Sequence, residues 1–486
     1  MNIPVIKLFF FFTLLFCQGI NAQTTLTNIP LESNIIKKSY EVETKDGAYL
    51  FLINDNSVHV SKLSNELSLS TNFSIKYDNK YLVLLGHTLD SIGNPTLYWL
   101  TQNNKELITQ NYDINKEIVS KTNKVPLALD KEKIIAKYTY NNQFFLLTTI
   151  KNTNSLHLIK FNSFAQQIDN AQINLDQNKF YNQYNEVVTL YDSFRESPAF
   201  YVKKIDEKTP TTISAVSSKR KLYLRDNMIY ITLDNSSHQT IIIGLDFLTK
   251  QGYSTSVSQG KNIDNYDYDF LTTNSFLFED KMLQTRFSRE SLNIDIKDLD
   301  GKLLKNYALN RDKDLTFVNG KVLQSNSDNE AKAKELLKTN QVINRISASK
   351  YSGATIFPYN SKYIVCYGGV TPLQDASTNA IMYGGMAGGL IGGLVGAAIG
   401  SAFDSNLTDN LNEYNNNKVI LAYSILDKDF NHDTQEVLPE DKQKKIREFV
   451  EASTTKITYT MLFQHKNKYH LGTLEKNSKQ FNIIAF

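Results

Sequence analysis

Carboxylates are the first residues of this sequence with potential for chemistry. Three aspartates precede Gly301 in "DIKDLDG" (Asp295–Gly301), a density that is typical of a calcium-binding loop. An EF-hand loop would have Asp or Asn in place of Ile296 and Glu in place of Tyr307, so the pattern fails at two positions. We therefore interpret the segment as a hairpin turn in which "DG" supplies the positive-φ positions.

Two histidines form the next candidate. His465 and His470 flank the turn "HKNKYH", and a hairpin would bring their rings together. Zinc sites need three or four ligands, and no third ligand at metal spacing is visible in the sequence. The sequence therefore predicts no metal site and no cofactor.

The remaining candidates are isolated. Asp267 and Asp269 in "NIDNYDYDF" (Asn262–Phe270) would share one face of a strand, where we expect solvated carboxylates. Cys366 lies in the apolar run "KYIVCYGG", which favours a buried structural thiol. No nucleophile elbow, zinc-protease helix or phosphate loop is present, so the sequence predicts no catalytic residues.

The N-terminus has the pattern of a secretory signal peptide. Lys7 precedes the apolar run Leu8–Phe16, and Ile20–Ala22 forms a small-residue cleavage site. We expect cleavage after Ala22 and export to the periplasm, the outer membrane or the cell envelope, with an uncleaved anchor as the alternative. Cleavage would also remove Cys17, so the mature chain would have no internal disulfide.

Composition excludes one class of partner. The 486 residues carry a formal net charge of +3, and acidic and basic residues are interleaved. This distribution offers no nucleic-acid-binding surface.

Short apolar strands separated by polar turns recur along the whole chain. The first copies are "GAYLFLINDNSVHVSKL", "KYLVLLGHTLDSIGNPTLYWL" and "QFFLLTTIKNTNSLHLIKF", and further copies begin near Val187, Met228, Met282, Tyr363 and Ile457. Their spacing brackets the length of a propeller blade, about 40 to 50 residues. The pattern predicts an all-β, irregular β-propeller of seven or eight blades, one of them completed by both chain ends. The alternative is a pair of β-sandwiches.

Three segments carry a family resemblance. They are "LHLIKFN" (Leu156–Asn162), "NIDIKDLDG" (Asn293–Gly301) and "FYVKKID" (Phe200–Asp206), which we place at middle strands of blades. They resemble the degenerate β-propellers of secreted Bacteroidota proteins. The resemblance implies a propeller fold, and we expect a protein or glycan ligand on one propeller face.

Two segments favour helices in the connections between strands. They are "NEAKAKELLKTNQ" (Asn329–Gln341) and "PEDKQKKIREFVEAS" (Pro439–Ser453), both rich in helix formers. Their charged side chains are expected to be solvated.

A charge-free, glycine-rich segment interrupts this pattern between Ala376 and Phe403. Five glycines recur every four residues: Gly384, Gly388, Gly392, Gly396 and Gly400. A second glycine directly follows each of the first three, at Gly385, Gly389 and Gly393, and an alanine follows the fourth. In a helix these positions form one nearly side-chain-free face that allows close packing of another helix, as in lipid. The run resembles the glycine-zipper segments of bacterial envelope proteins. We expect it to contact a membrane or other copies of the chain; the alternatives are a low-complexity loop and a helix packed on the propeller.

The flanks of the glycine segment predict its topology. "SKYIVCYGGV" before it and "NKVILAYSILDKDF" after it have the pattern of two adjacent strands of one blade. Both ends of the glycine segment would then emerge on one side of the blade, which argues against a transmembrane helix that crosses once. A helix that lies in the membrane interface, or one that packs against the same helix of other copies, fits this topology better. The polar stretch Asp404–Asn417 is predicted to be a flexible return linker.

These expectations divide the chain into a signal peptide (1–22), a β-propeller-like domain (23–375), a glycine-zipper insertion with its linker (376–417) and C-terminal strands that complete the β domain (418–486). The predicted function is that of an exported, envelope-associated binding or assembly protein with no evident catalytic activity. Two alternatives stay open: a hydrolase or lyase with its active site in the propeller channel, and a membrane-active effector.

Overall fold

The computed structural model describes most of the chain. The described residues are 24–76, 82–101, 103, 105–162, 166–195, 202–207, 210–260, 271–326, 333–373, 407, 408, 411, 417–440, 442–453 and 455–486. Within them the chain forms seven sheets of four or five strands and one two-stranded ribbon.

The first three blades each consist of four consecutive antiparallel strands. The first strand of the chain, β1 (Thr25–Pro30), belongs to the last blade. Blade 1 contains β2 (Lys38–Thr44), β3 (Gly47–Ile53), β4 (Ser57–Ser64) and β5 (Leu69–Lys76). Blade 2 contains β6 (Leu82–Leu89), β7 (Pro95–Thr101), β8 (Glu106–Asp113) and β9 (Ile118–Pro126). Blade 3 contains β10 (Glu132–Tyr140), β11 (Gln143–Ile150), β12 (Ser155–Phe161) and β13 (Gln167–Asn174).

The next blades are less regular. A ribbon of β14 (Phe180–Tyr181) and β15 (Val187–Val188) precedes blade 4. Blade 4 contains β16 (Lys203–Ile205), β17 (Arg220–Arg225), β18 (Met228–Leu233), β19 (Gln239–Asp246) and β20 (Gln251–Ser258). Blade 5 contains β21 (Thr272–Phe278), β22 (Lys281–Phe287), β23 (Ser291–Asp298) and β24 (Leu303–Asn310). Blade 6 contains β25 (Leu323–Asn326), β26 (Lys334–Glu335), β27 (Tyr351–Tyr359), β28 (Lys362–Pro372) and β29 (Asn417–Leu426).

Both ends of the chain meet in blade 7. This blade contains β30 (Ile457–His465), β31 (Lys468–Glu475) and β32 (Gln480–Ala485). Its fourth strand is β1, which pairs antiparallel with β32 so that Pro30 lies opposite Gln480. The expected all-β propeller is confirmed, with seven blades and one blade built from both chain ends.

Apolar side chains pack between neighbouring blades. Phe51 of blade 1 contacts Tyr112 of blade 2 edge to face, with 5.2 Å between the ring centroids. Tyr98 of blade 2 stacks on Phe144 of blade 3 at 4.3 Å. Because strand side chains alternate between two faces, each blade presents one apolar face to each neighbour.

Asparagine-rich turns join strands within the blades. Asn141 and Asn142 between β10 and β11 both have positive φ, 46° and 57°. Lys466 and Asn467 between β30 and β31 also have positive φ, 49° and 62°. Two consecutive positive φ values are typical of the type I′ turn, whose twist matches that of a hairpin.

Four short helices lie in the connections of the described chain: α1 (Leu190–Arg195), α2 (Ile213–Val216), α3 (Thr339–Ser347) and α4 (Lys442–Ala452). The prediction for Pro439–Ser453 is confirmed by α4. The prediction for Asn329–Gln341 is wrong, because Lys334–Glu335 forms β26 and the helix begins only at Thr339. The apolar residues that anchor α3 (Val342, Ile343 and Ile346, all buried) follow the segment richest in helix formers.

Two other sequence interpretations also need correction. The copy expected near Val187 is not a blade, because its strand is two residues long and pairs only within the ribbon. "FYVKKID" is not a middle strand: Lys203–Ile205 pairs parallel with β17 at the edge of blade 4. By contrast, "LHLIKFN" and "NIDIKDLDG" do contain middle strands: β12 lies between β11 and β13, and β23 lies between β22 and β24.

Candidate functional site

The base of the insertion in blade 6 is formed by two long paired strands. β28 and β29 are antiparallel over their whole length, with Tyr363 opposite Leu426 and Pro372 opposite Asn417. The predicted pairing of the two flanking segments is confirmed. The chain therefore leaves blade 6 and re-enters it at the same end of the blade.

Several sequence predictions fall outside the described residues. The eight glycines are among residues 374–406, the predicted signal peptide is within residues 1–23, and Asn262–Phe270 is within residues 261–270.

The return end of the insertion is packed against blade 7. Leu407 and Leu411 are each only 4% exposed. The Thr408 hydroxyl donates to the Leu462 carbonyl at 3.2 Å and accepts from the Leu462 amide at 3.1 Å. β30 is the last strand of its sheet, so among the described residues its free edge has no strand partner. Thr408 satisfies two backbone groups on this edge. The prediction of a flexible linker over Asp404–Asn417 is wrong at these positions.

Apolar contacts extend this attachment. Leu407 and Leu411 form one buried cluster with Ile446 of α4 and with Leu462 and Leu471 of blade 7. Met461 and Phe463, which alternate with Leu462 along β30, pack instead toward blade 1. The cluster therefore lies on the face of blade 7 that is turned toward blade 6.

A segment before β17 crosses the inner side of the ring of blades. β16 pairs on the inner side of β17, and α2 packs on β27 of blade 6, two blades further round the ring. A Cβ atom placed on Gly353 of β27 would lie 3.1 Å from Val216 of α2. On the other side of the ring, Lys204 of β16 is close enough to His87 of blade 2 for its charge to lower the pKa of that imidazole. One segment that reaches both sides of the ring must occupy its centre.

Near this segment, polar side chains form hydrogen bonds between the inner strands of neighbouring blades. The Tyr40 hydroxyl lies 2.7 Å from His87 Nδ1 and links blade 1 to blade 2. Thr139 donates to the His87 carbonyl at 2.6 Å and links blade 2 to blade 3. Burial, with the charge of Lys204, lowers the pKa of His87 to about 4, and burial raises the pKa of Tyr40. Both side chains are therefore neutral at physiological pH, which suits a structural bridge between strands.

Glu41 is a carboxyl group in an unusual environment. Burial, with the nearby charge of Glu43, raises the pKa of Glu41 to about 8. Its Oε1 atom is buried and makes no hydrogen bond within the described part of the chain. Glu41 therefore holds a proton at neutral pH.

A buried ion pair fixes blade 4 to blade 5. Lys221 Nζ lies 2.8 Å from Asp234 Oδ2, and both side chains are fully buried. Asp234 also accepts from Ser275 Oγ of blade 5 at 2.8 Å and from Thr240 Oγ1 at 2.7 Å. Lys221 donates to Asn274 Oδ1 at 2.7 Å. Both carboxylate oxygens of Asp234 and the ammonium of Lys221 have hydrogen-bond partners, so this network, the blade 4–blade 5 lock, holds the two blades together. No local sequence pattern indicates that residues 221, 234 and 275 come together.

The predicted candidate residues lie in three separate places. His465 and His470 are brought together at the end of blade 7, with 6.2 Å between ring centroids, as the hairpin predicted. Cys366 is buried in β28. The predicted hairpin turn lies between β23 and β24, and Gly301 has the predicted positive φ, 89°, whereas Asp300 does not. Asp295 pairs with Arg286 at 2.7 Å within blade 5.

No ready-made arrangement of three or more His, Cys, Asp or Glu side chains around a metal position occurs among the described residues. Among those same residues, no helix has the length and apolar character needed to cross a membrane.

Comparisons with known proteins add structural neighbours but no family. No protein-family model matches the sequence, and a search of curated proteins found no match. Similar solved structures include the propeller of Dos1, with 11% identity and a TM-score of 0.32 over 95% of this chain and 78% of that chain. The WD40 domain of SCAP from fission yeast has 9% identity and a TM-score of 0.33 over 95% of this chain and 98% of that chain. A member of the duf4221 family from Bacteroides vulgatus has 11% identity and a TM-score of 0.32 over 96% of this chain and 97% of that chain. At these TM-scores the fold assignment depends on the seven blades of the chain itself.

Proposed function

We propose that this protein is an exported, envelope-associated β-propeller that binds or assembles with partners, and that its glycine segment attaches it to a membrane or to other copies of itself. The observation that carries the proposal is the pairing of Pro372 with Asn417. Because the insertion leaves and returns at one end of blade 6, it is an excursion from a blade whose strands pair without it.

The return end supports an attachment role for the insertion. Leu407, Thr408 and Leu411 dock on blade 7, so the return end of the insertion is fixed to the blade that follows blade 6. An insertion whose two flanking ends are both fixed to the propeller is suited to an attachment role.

The segment that crosses the inner side of the ring argues against the hydrolase or lyase alternative. A substrate in the channel would have to displace β16 and α2, whose residues Ile205, Ile213 and Val216 are buried in the largest apolar core. Export is proposed from the N-terminal sequence pattern alone.

The glycines themselves provide the test. Replacing Gly388, Gly392 and Gly396 with Leu raises hydrophobicity and helix propensity, so partitioning into membranes should stay equal or increase. Self-association should fall, because the small-residue face is filled. Chemical crosslinking in membranes should show oligomers for the natural sequence and mainly monomers for the triple variant.

A matched control introduces the same side chain on the opposite face of the segment. Ala387→Leu and Ala398→Leu should leave crosslinking unchanged, because in a helix both positions lie about 120–140° from the centre of the Gly388, Gly392 and Gly396 face, which stays open. Equal crosslinking of the natural sequence and the glycine triple variant would reject self-association through these glycines.

A further inference from the structure

The blade 4–blade 5 lock brings an amine and a carboxamide into direct contact. Lys221 Nζ of β17 donates to Asn274 Oδ1 of β21 at 2.7 Å, and the two residues are 0% and 1% exposed. The amide oxygen is bonded directly to Cγ, so the lysine nitrogen lies beside the carbon that a nucleophilic amine would attack. The two blades therefore present a nucleophile and an electrophile to each other, away from water.

A base lies next to the lysine nitrogen. Asp234 Oδ2 is 2.8 Å from Lys221 Nζ and is fully buried, and the third partner of Nζ is the Ser218 carbonyl at 2.6 Å. Burial lowers the pKa of Lys221, and the charge of Asp234 opposes this shift. Because burial disfavours both charged forms, transfer of one proton from the ammonium to the carboxylate costs less here than in water. The transfer leaves Lys221 as a neutral, nucleophilic amine.

The amide of Asn274 is oriented for attack. The backbone N–H of Ser275 donates to Asn274 Oδ1 at 2.7 Å and is shared with Asp234 Oδ2 at 3.1 Å. A backbone N–H can only donate, so the amide atom that it meets is the oxygen, and the same N–H stabilises an oxyanion formed there. The other amide atom, Asn274 Nδ2, is buried and makes no hydrogen bond within the described part of the chain. Among these residues, its departure breaks no hydrogen bond.

We propose that Lys221 and Asn274 form an intramolecular isopeptide bond that joins blade 4 to blade 5, with Asp234 as the proton carrier. Lys221 Nζ bonds to Asn274 Cγ, and the Cγ–Nδ2 bond breaks. Two protons of the lysine ammonium pass through the Asp234 carboxylate to the leaving nitrogen, which departs as an ammonium ion. The carboxylate is restored, nothing is oxidised or reduced, and the reaction needs no co-reactant.

The bond gives the chain a covalent constraint of a kind that its cysteines do not supply. Cleavage of the predicted signal peptide leaves only Cys366, so the mature chain is expected to have no internal disulfide. Lys221 and Asn274 are 53 positions apart, so a bond between them restricts the unfolded chain as a disulfide does. The bond is independent of the glycine segment.

The test is peptide mapping by mass spectrometry of the natural mature protein at full length. We expect proteolysis to yield a branched peptide that links Lys221 to Asn274, with a mass about 17 Da below the sum of the two linear peptides because one ammonia is lost. Cyclisation of an N-terminal Gln23 would cause the same loss from the whole chain. The branched peptide therefore decides the question, and the intact mass does not.

Three variants examine the assigned roles. Lys221→Arg keeps a cation in the lock but has no nucleophilic amine, so the branched peptide should be absent. Asp234→Asn keeps the shape of the side chain and removes the base, so the yield should fall by about tenfold or more. Lys219→Arg is the matched control, because Lys219 Nζ donates to the Thr273 carbonyl at 2.6 Å beside the lock, and the yield should be unchanged.

A natural protein that yields only the two linear peptides would overturn the proposal, and this result does not depend on the folding of any variant. Equal yields of the branched peptide from Asp234→Asn and Lys219→Arg would also overturn it, because Asp234 would then not carry the protons.

Discussion

Protonation of Glu41 is linked to folding at the scale of a single residue. The pKa of Glu41 rises from the ordinary value of 4.5 to about 8 in the folded chain. Below pH 4.5 the carboxyl group is protonated in both the folded and the unfolded chain, so its burial does not reduce the free energy of unfolding through proton release. As the pH rises toward 8, the unfolded chain releases its proton while the folded chain keeps it, so folding loses stability, and the full loss is present above pH 8.

Glu41→Gln should therefore gain stability over the natural protein in one pH window. The two should have similar unfolding free energies at pH 4.5, and the advantage of the variant should grow up to pH 8, because Gln has no proton to lose. Urea unfolding at several pH values measures this difference. A constant difference across the window would show that Glu41 has an ordinary pKa.

Residues of this kind were only partly predictable. The approach of His465 to His470 follows from a two-residue turn, so the sequence indicated it. The third side chain near them, Glu43, is more than 400 positions away along the chain, and only closure of the ring brings it there. Tyr40, His87 and Lys204 meet for the same reason, through long-range packing that has no local signal.

The contacts between blades are a property of whole elements, and the Lys221–Asp234 pair tests them. Asp234→Ala leaves a fully buried ammonium without its carboxylate, which should cost about 3–5 kcal/mol in unfolding free energy. Chemical denaturation measures this loss. Asp280→Ala, which removes an 81% exposed partner of Lys281, should change stability by only about 0–1 kcal/mol. Equal effects of the two substitutions would mean that the blade 4–blade 5 lock does not stabilise the fold.

Elements were predictable where a local pattern decided them. The alternation and turns of β10–β12 are explicit in the sequence, and so is the pairing of β28 with β29. The start of α3 was misplaced because helix propensity is weak next to burial: Val342, Ile343 and Ile346 anchor the helix to the core. The parallel strand β16 could not be anticipated, because its partner β17 becomes adjacent only when the channel is filled.

At the scale of the whole molecule, the propeller and the glycine segment are expected to be separable. Blade 6 is complete without residues 376–403, since β28 and β29 pair up to Pro372 and Asn417. Leu407, Thr408 and Leu411 must be kept, because they pack on blade 7. A variant that lacks only 376–403 should therefore retain a β-type circular dichroism spectrum and a cooperative melt.

Separation of membranes from cells that express the natural chain or this deletion variant tests the central claim most directly. After a carbonate wash, the natural chain should stay in the membrane fraction, and the variant should appear in the soluble fraction as a folded protein. Retention of the folded variant in washed membranes to the same extent as the natural chain would contradict the proposal that residues 376–403 attach the propeller to the envelope.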